Sequence, residues 1–293
     1  MSIRTSLTKD EKQLILKLYA EGHGAPYIAN ELKIATHKVS YFVKSSGVSR
    51  TPSEAARKYS YDEDFFKKID SEEKAYWLGF MYADGYVSSR KYGKCVGLSL
   101  SSKDKAHLVK FMKSLHGNVP IHDYVSNSGY ASHTEYSRVI LCGDTMYKYA
   151  IAQGIVEHKT NIVTAPEISQ KLVPHFIRGY FDGDGCLTCG MKRHHRGRPG
   201  KYCEYAVKIL GTQSLLDFIK NFIEKHDVAK INRYYRRKEG QTVLSLELKG
   251  NKQIKKFLDL IYKNATIYLD RKYERYQKLC NLLHSRVTPK GVA

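Results

Sequence analysis

Two stretches of this chain, about a hundred residues apart, say nearly the same thing. The first is Ala75-Tyr76-Trp77-Leu78-Gly79-Phe80-Met81-Tyr82-Ala83-Asp84-Gly85, the second Phe176-Ile177-Arg178-Gly179-Tyr180-Phe181-Asp182-Gly183-Asp184-Gly185. Each is an apolar run with a small residue in its middle, closed by a carboxylate and a glycine. The small residues Gly79, Gly179, Ala83 and Gly183 allow two helices to touch backbone to backbone. Asp84 and Asp184 would then stand side by side at the helix ends. Two acidic groups held together near a surface make a site for hard divalent cations.

These residues resemble the LAGLIDADG homing endonucleases. Nine positions carry the signature, Trp77 to Gly85 and Ile177 to Gly185. The family's letters are matched at Gly79, Ala83, Asp84 and Gly85, and at Gly179, Asp182, Asp184 and Gly185. The first copy departs at Tyr82, where the sixth letter is Asp. That position serves the helix start or packing, so Tyr82 is not read as loss of activity; Asp182, two residues from Asp184 on one helix, points elsewhere and is read as structural. The resemblance covers about 71–283. It implies an α+β fold: two pseudo-symmetric αββαββα halves, each with a saddle-shaped antiparallel sheet, clamped on a duplex.

The activity so implied is site-specific DNA endonuclease of the homing type, hydrolysing both strands across the minor groove to leave short 3′ overhangs. The implied cofactor is Mg²⁺, two or three divalent ions, with Mn²⁺ able to substitute. Asp84 and Asp184 are the implied ligands and catalytic carboxylates, with the adjoining Gly85 and Gly185 completing the metal set. The family also places a basic residue from each half beside the metals, to neutralise charge on the phosphate or polarise water. Lys159 and Arg271 are the candidates, with Lys272 the fallback. Ser101-Ser102 and Gly211-Thr212 occupy the place of a polar, water-binding side chain. Because one chain holds both halves, a monomer reading a long asymmetric double-stranded target is expected.

Charge points the same way. Lys plus Arg number 49 and Asp plus Glu 29, a net charge of +20. Such an excess favours a polyanion, nucleic acid first, because each neutralised phosphate releases counterions. No 18-residue apolar run is present, so no membrane partner is expected. Met1-Ser2-Ile3-Arg4-Thr5 has no apolar signal core and no splice-junction residues. The expectation is a free-standing or intron-encoded cytoplasmic protein, nucleoid-associated in a prokaryote or phage-infected cell, with an organelle as the alternative. Six cysteines fit reduced thiols there. Cys186, Cys189 and Cys203, with His194 and His195, resemble a zinc set, but no second Cys pair accompanies them; small apolar strand cysteines are the preferred reading.

Four segments are expected. Residues 1–48 read as three helices: a Thr8–Glu11 capping box, a stop at Gly22-His23-Gly24, a second helix opened by Pro26, and a third capped by Thr36. The stretch looks like a resolvase-type or homeodomain-like helix-turn-helix. Its third helix would offer Thr36, His37, Lys38, Ser40, Tyr41 and Lys44 to a major groove. Residues 49–70 read as a linker. Residues 71–168 and 169–293 form the two halves, each helix, strand, strand, helix, strand, strand, helix. Alternation in Glu204–Leu210 and Ser245–Lys249 gives each sheet a polar and an apolar face.

Sequence readout is assigned to the sheets and hairpin tips. The tip Met191–Lys201 holds Lys192, Arg193, Arg196 and Arg198, and its first-half counterpart holds Arg90 and Lys91; Arg233, Arg236 and Arg237 extend the stripe. Most of these are assigned to phosphate. Two other functions use the same scaffold: an RNA maturase binding intron RNA, and a DNA-binding regulator that does not cleave.

Overall fold

A computed structural model of the chain describes residues 7–49, 59–90, 93–126, 133–157, 162–193, 200–236 and 243–284. It divides into two compact units, Met1–Ser60 and Tyr61–Ala293.

The first unit holds α1 (Lys9–Ala20), α2 (Ala25–Glu31) and α3 (Thr36–Ser45). Thr8 and Glu11 form the reciprocal capping box at the start of α1, with the Glu11 amide donating to the Thr8 hydroxyl at 3.2 Å. Helix α3 begins one residue earlier than its sequence suggests: Ala35 is the cap, and Thr36 is the first helical residue. Ile15, Ile28, Ala29, Val39 and Val43 make a small core of their own.

The second unit contains α4 (Glu72–Ala83), β1 (Gly85–Arg90), β2 (Gly93–Ser101), α5 (Lys105–Ser114), β3 (His122–Ser126), β4 (Thr134–Cys142) and α6 (Asp144–Ala152). It then repeats with α7 (Val173–Asp184), β5 (Gly185–Arg193), β6 (Lys201–Gly211), α8 (Gln213–Lys225), β7 (Tyr235–Arg236), β8 (Leu244–Lys249) and α9 (Asn251–Tyr262), and α10 (Asp270–His284) follows. The sheets are ordered β1-β2-β4-β3 and β5-β6-β8-β7, the same topology twice. All their pairings are antiparallel.

Period-two alternation sets which face each sheet buries. Val207 pairs with Leu248 and Ile209 with Leu246, and all four are buried. Their neighbours Lys208 and Glu247 form an ion pair at 3.4 Å on the opposite, open face. In the first sheet Val96 pairs with Leu141 and Leu98 with Val139, again all buried. One continuous apolar core runs beneath both sheets.

Three expected boundaries move. The stretch read as linker is partly core: Phe65 and Phe66 are buried within the second unit. The strand expected over 231–236 shrinks to Tyr235–Arg236, because Ile231 turns inward and its amide is taken by Glu224 at 2.9 Å. The tip expected from Met191 onward remains strand through Arg193, which pairs with Lys201.

The cysteine reading also changes. Cys189 and Cys203 are joined in a disulfide. Met191 faces Cys203 in the ladder and Cys189 faces Tyr205, so the bond runs diagonally across the hairpin. Two thiolates of the zinc-like set are thereby bonded to each other, while Cys186 lies exposed on β5 and His194 and His195 lie outside the described residues. In the first sheet Cys95 and Cys142 face each other directly with sulfurs 2.7 Å apart.

Candidate active site at the helix seam

Helices α4 and α7 cross with no side chain between their backbones. A methyl group on Gly79 would overlap the carbonyl oxygen of Phe176, and one on Gly179 the carbonyl oxygen of Tyr76. Only hydrogen at these two positions permits the approach. Gly183 continues the seam: a Cβ there would strike Ala83 and lie 3.1 Å from Asp84 Oδ2. The Asp84 carboxylate therefore sits against the last turn of α7. Asp84 caps α4 and Asp184 ends α7, and both side chains reach the surface. The strands β1 and β5 begin at the next residue in each case. Both carboxylates stand at helix C-termini, where the macrodipole adds negative potential and so favours cations.

Two buried side chains feel both carboxylates. Burial, and then the charges of Asp184 and Asp84, hold the Tyr180 phenol well above the usual tyrosine range. Its hydroxyl donates to the Leu210 carbonyl at 2.7 Å. Tyr180 and Asp184 line a cleft of about 210 Å³ with Tyr82, Ala83, Gly211 and Thr212. Thr212 is used structurally: its hydroxyl donates to the Val163 carbonyl and accepts the Leu215 amide, capping α8.

The second is Lys272. It is buried, and its ammonium donates to the carbonyls of Phe181, Gly185 and Gly183. Burial lowers its pKa to about 8, against the opposing pull of Asp182, Asp84 and Asp184. Arg271, the residue expected in this place, points elsewhere: its guanidinium pairs with Asp104 of the first half at 3.0 Å. The reason is helical register. Lys272, Tyr276 and Leu279 share the buried face of α10, a spacing visible in the sequence, while Arg271 falls on the exposed side. Lys159 lies outside the described residues.

Asp182 holds α10 in place. Buried completely, it accepts the Leu269 amide at 2.8 Å at the start of α10, the Tyr76 hydroxyl at 2.8 Å and the Tyr262 hydroxyl. Burial raises its pKa, and Lys272 opposes the rise. Behind Tyr76 lies His107, whose Nε2 is 2.9 Å from the Tyr76 hydroxyl. Since that hydroxyl donates to Asp182, Nε2 must carry the proton and Nδ1 a lone pair. Nδ1 has no hydrogen-bond partner among the described residues, and desolvation lowers the His107 pKa to about 3. The ring is neutral throughout the physiological range.

Arg178 stands inside the second motif copy, at a position that matches none of the family's letters, and it joins the halves. It is 1 % exposed and donates to the carbonyls of Ile267 and Ile261 and, at 2.7 Å, to Glu72 on α4. Its signal was an arginine inside an apolar run.

The remaining candidates divide by location. Lys192, Arg193, Arg233 and Arg236 are exposed on or beside the strands of the second sheet. Arg233 lies over the Tyr235 ring at 4.9 Å. Arg90 ends β1. Lys91, Arg196, Arg198 and Arg237 lie outside the described residues. Arg138, missed in the sequence, is exposed on β4 with its guanidinium 4.8 Å from the Tyr124 ring. Thr36, His37, Ser40, Tyr41 and Lys44 are exposed along α3, and Lys38 is half-buried. No cluster of three or more His, Cys, Asp or Glu is found among the described residues; the seam gathers two carboxylates.

No protein-family model and no curated protein matches this chain. Among solved structures it is similar to the I-SmaMI LAGLIDADG homing endonuclease bound to cleaved DNA, at 14% identity and a TM-score of 0.50, over 76% of this chain and 94% of that one. It is also similar to a mutant form of I-SmaMI, at 13% identity and a TM-score of 0.50, over 72% and 91%. The LAGLIDADG meganuclease I-AabMI bound to uncleaved DNA scores 0.49 at 15% identity, over 72% and 91%. The chain thus has the two-sheet fold of the LAGLIDADG homing endonucleases.

Proposed function

We propose that the chain is a metal-dependent DNA endonuclease of the homing type, cutting both strands of a long asymmetric duplex as a monomer. One observation carries the reading: Asp84 and Asp184 close two helices that abut at Gly79 and Gly179, where the first strand of each sheet begins. Mg²⁺ retains several waters and needs only one or two protein carboxylates, so a pair of exposed aspartates fits it better than a closed cage would. When bound, divalent ions supply an activated water, charge neutralisation on the phosphate and a stabilised leaving oxygen.

The protein's own residues have separable tasks. Asp84 and Asp184 provide anionic oxygens at a fixed separation. Lys272 directs its protons at three carbonyls around the Asp184–Gly185 turn, so it positions that turn rather than reaching for phosphate. Tyr180 keeps its proton beside Asp184 and buttresses the cleft floor. The open sheet faces, with Arg138, Arg193, Arg233 and Arg236, supply phosphate and base contacts along the duplex.

The test is cleavage of a randomised duplex library. Double-strand products are expected in Mg²⁺ and none in EDTA, with Asp84→Asn and Asp184→Asn each abolishing them while DNA is still bound. Cleavage by both asparagine variants at the wild-type rate would refute the reading.

A further inference from the structure

The first sheet carries a pair of thiols that the nuclease reading does not use. Cys95 on β2 and Cys142 on β4 face each other on the last rung of their ladder, both as thiols, with sulfurs 2.7 Å apart. Period-two alternation places them on the open face. Val96, Leu98, Val139 and Leu141 point into the core, so Cys95, Ser99, Arg138 and Cys142 point away from it. Arg138 lies over the Tyr124 ring on that face, and the Tyr124 hydroxyl meets Ser99 at 2.8 Å. The thiols thus share a surface with a cation suited to phosphate.

The rung suits a bond between them. The Gly143 amide donates to the Lys94 carbonyl at 3.0 Å. That contact flanks the cysteines and makes them a non-hydrogen-bonded pair, whose Cα atoms lie about 4.5 Å apart in antiparallel ladders. A disulfide spans Cα separations of about 4.4–6.8 Å, so the sulfurs can join with the strands left in place. No backbone hydrogen bond between the two residues has to break. Access differs between the thiols. Cys142 is exposed; Cys95 is half-buried, two residues from Gly97, which the Tyr86 ring covers.

The second sheet shows what this place holds otherwise. Gly85 pairs with Leu98 and Gly185 with Ile209, so the rung equivalent to Cys95–Cys142 is Ala206–Lys249. A lysine there suits a surface that meets a polyanion, and two neutral thiols do not replace it. Nor do the thiols belong to a metal set, since no cluster of three or more His, Cys, Asp or Glu occurs among the described residues.

We propose that Cys95 and Cys142 form a self-clearing thiol pair: Cys142 takes an adduct from a low-molecular-weight disulfide, and Cys95 removes it. The accessible Cys142 thiolate attacks one sulfur of the small disulfide, forming a mixed disulfide and expelling one small thiolate. The Cys95 thiolate then attacks Cys142 Sγ. The protein disulfide forms and the second small thiolate leaves. The two protons lost by the protein go to the released thiolates, so two protein thiols are oxidised and one small disulfide is reduced to two thiols. The second step is favoured because Cys95 already touches its target sulfur, which makes the reaction effectively unimolecular.

The gain lies in what remains on the sheet. A glutathione adduct left on Cys142 puts an anionic tripeptide where phosphate has to approach. The intramolecular bond adds neither bulk nor charge. For the polymer on that face the inference rests on the nuclease reading; for the thiol chemistry it does not.

The test uses the full-length chain carrying Cys186→Ser and Cys280→Ser, which removes the other two thiols. The reduced protein selects a duplex from a randomised library in EDTA. Each form is then treated with glutathione disulfide, mapped by peptide mass spectrometry and titrated with that duplex. The parent should lose two hydrogens, show a Cys95–Cys142 crosslink, carry no adduct and keep its affinity. Cys95→Ser should trap glutathione on Cys142 and bind DNA roughly 10-fold more weakly, about the worth of one phosphate contact at physiological salt. A small-thiol reductant should restore it. Cys142→Ser should gain neither crosslink nor adduct and keep its affinity. Circular dichroism of each variant checks that the fold is intact.

A parent that keeps the adduct, or that forms neither adduct nor crosslink, would overturn the inference. So would a crosslink that itself abolishes DNA binding, or an adduct in Cys95→Ser that leaves affinity unchanged. All these results leave the nuclease reading standing. Failure of the reduced parent to select any duplex would remove that reading and the role on the DNA face with it, while the mass spectra would still decide whether Cys95 clears Cys142.

Discussion

The Gly79–Gly179 seam makes the most demanding prediction, the effect of Gly179→Ala. The new methyl carbon would overlap the Tyr76 carbonyl oxygen and lie 2.8 Å from the Tyr76 carbonyl carbon and 2.9 Å from the Phe80 amide nitrogen. Ordinary carbon contacts lie at about 3.5–4.0 Å, so the two helices must separate locally by roughly 1 Å. The atoms in the way are backbone, which no rotamer change can clear. Overpacking of this kind costs about 1–3 kcal/mol. In a chain of this size each kcal/mol lowers Tm by about 2–4 °C, so a fall of roughly 2–12 °C is expected.

The chemistry should suffer more than the stability. A displacement of about 1 Å near reacting groups can reduce rate roughly 100-fold, and the seam sets the separation of Asp84 from Asp184. Gly190→Ala is the matched control, because nothing lies within 4 Å of a Cβ there. Thermal melts and single-turnover cleavage report the two effects separately. Gly179→Ala with wild-type Tm and a cleavage rate within about threefold of wild type would refute the argument that backbone contact fixes the carboxylate pair.

Other measurements probe the frame around the site. His107 is lowered from 6.5 to about 3 in the folded chain, so between those values the unfolded state binds a proton that the native state does not. Stability should therefore fall as pH drops through 6.5 toward 3, and His107→Gln should flatten the acid limb of a urea-midpoint profile against pH; an unchanged profile would contradict the assignment of a neutral buried ring. Cys203→Ser opens a bridge between residues 14 apart in sequence, which the chain-entropy account values at about 3 kcal/mol. Reductant should lower the wild-type Tm and leave the serine variant unmoved; equal responses would mean that the bond contributes nothing. Arg178→Met removes the buried partner of a half-buried ion pair and leaves the Ile261 and Ile267 carbonyls without their donor, at a cost of about 2–4 kcal/mol in urea denaturation. A loss below about 1 kcal/mol would show that the halves are joined by the apolar seam alone.

The sequence disclosed what local chemistry makes unavoidable. Backbone contact between helices demands glycine at Gly79 and Gly179, so the seam could be read directly, and with it the doubled topology. Asp84 and Asp184 followed because they are the residues at which both runs stop. Features that depend on how far an element turns or slides were less legible. Lys272 rather than Arg271 faces the carboxylates because α10 starts where the Leu269 amide meets Asp182, and one residue on a helix is a rotation of about 100°. The Cys189–Cys203 bond depends on hairpin register, which places Cys203 opposite Met191. Phe65 and Phe66 were hidden by the turn-forming text around Pro52, although two adjacent aromatics seldom stay in solvent. Arg178 was concealed by its apolar neighbours.

The two copies of the motif have kept one mechanical task while changing the side chain that performs it. Tyr82 and Asp182 are equivalent positions, and each ties its helix to the segment beyond the third helix of its half. Tyr82 does so by donating to the Gln153 carbonyl at 2.7 Å, Asp182 by accepting the Leu269 amide. The donor needs no counter-charge. The acceptor is a fully buried carboxylate and requires one. Lys272 supplies it, and because its ammonium also binds the carbonyls of Phe181, Gly183 and Gly185, the cation that compensates Asp182 also fixes the turn carrying Asp184. Phe80 and Tyr180 differ in the same sense, since Tyr180 alone adds a hydroxyl beside the carboxylates. The groups that fix the turn carrying the carboxylate are therefore concentrated in the second half, while the first half contributes Asp84 together with Tyr76 and Glu72, which tie its helix to Asp182 and Arg178. If the chain cleaves DNA as proposed, two halves that support their carboxylates so differently would present unlike surroundings to the two strands of the duplex.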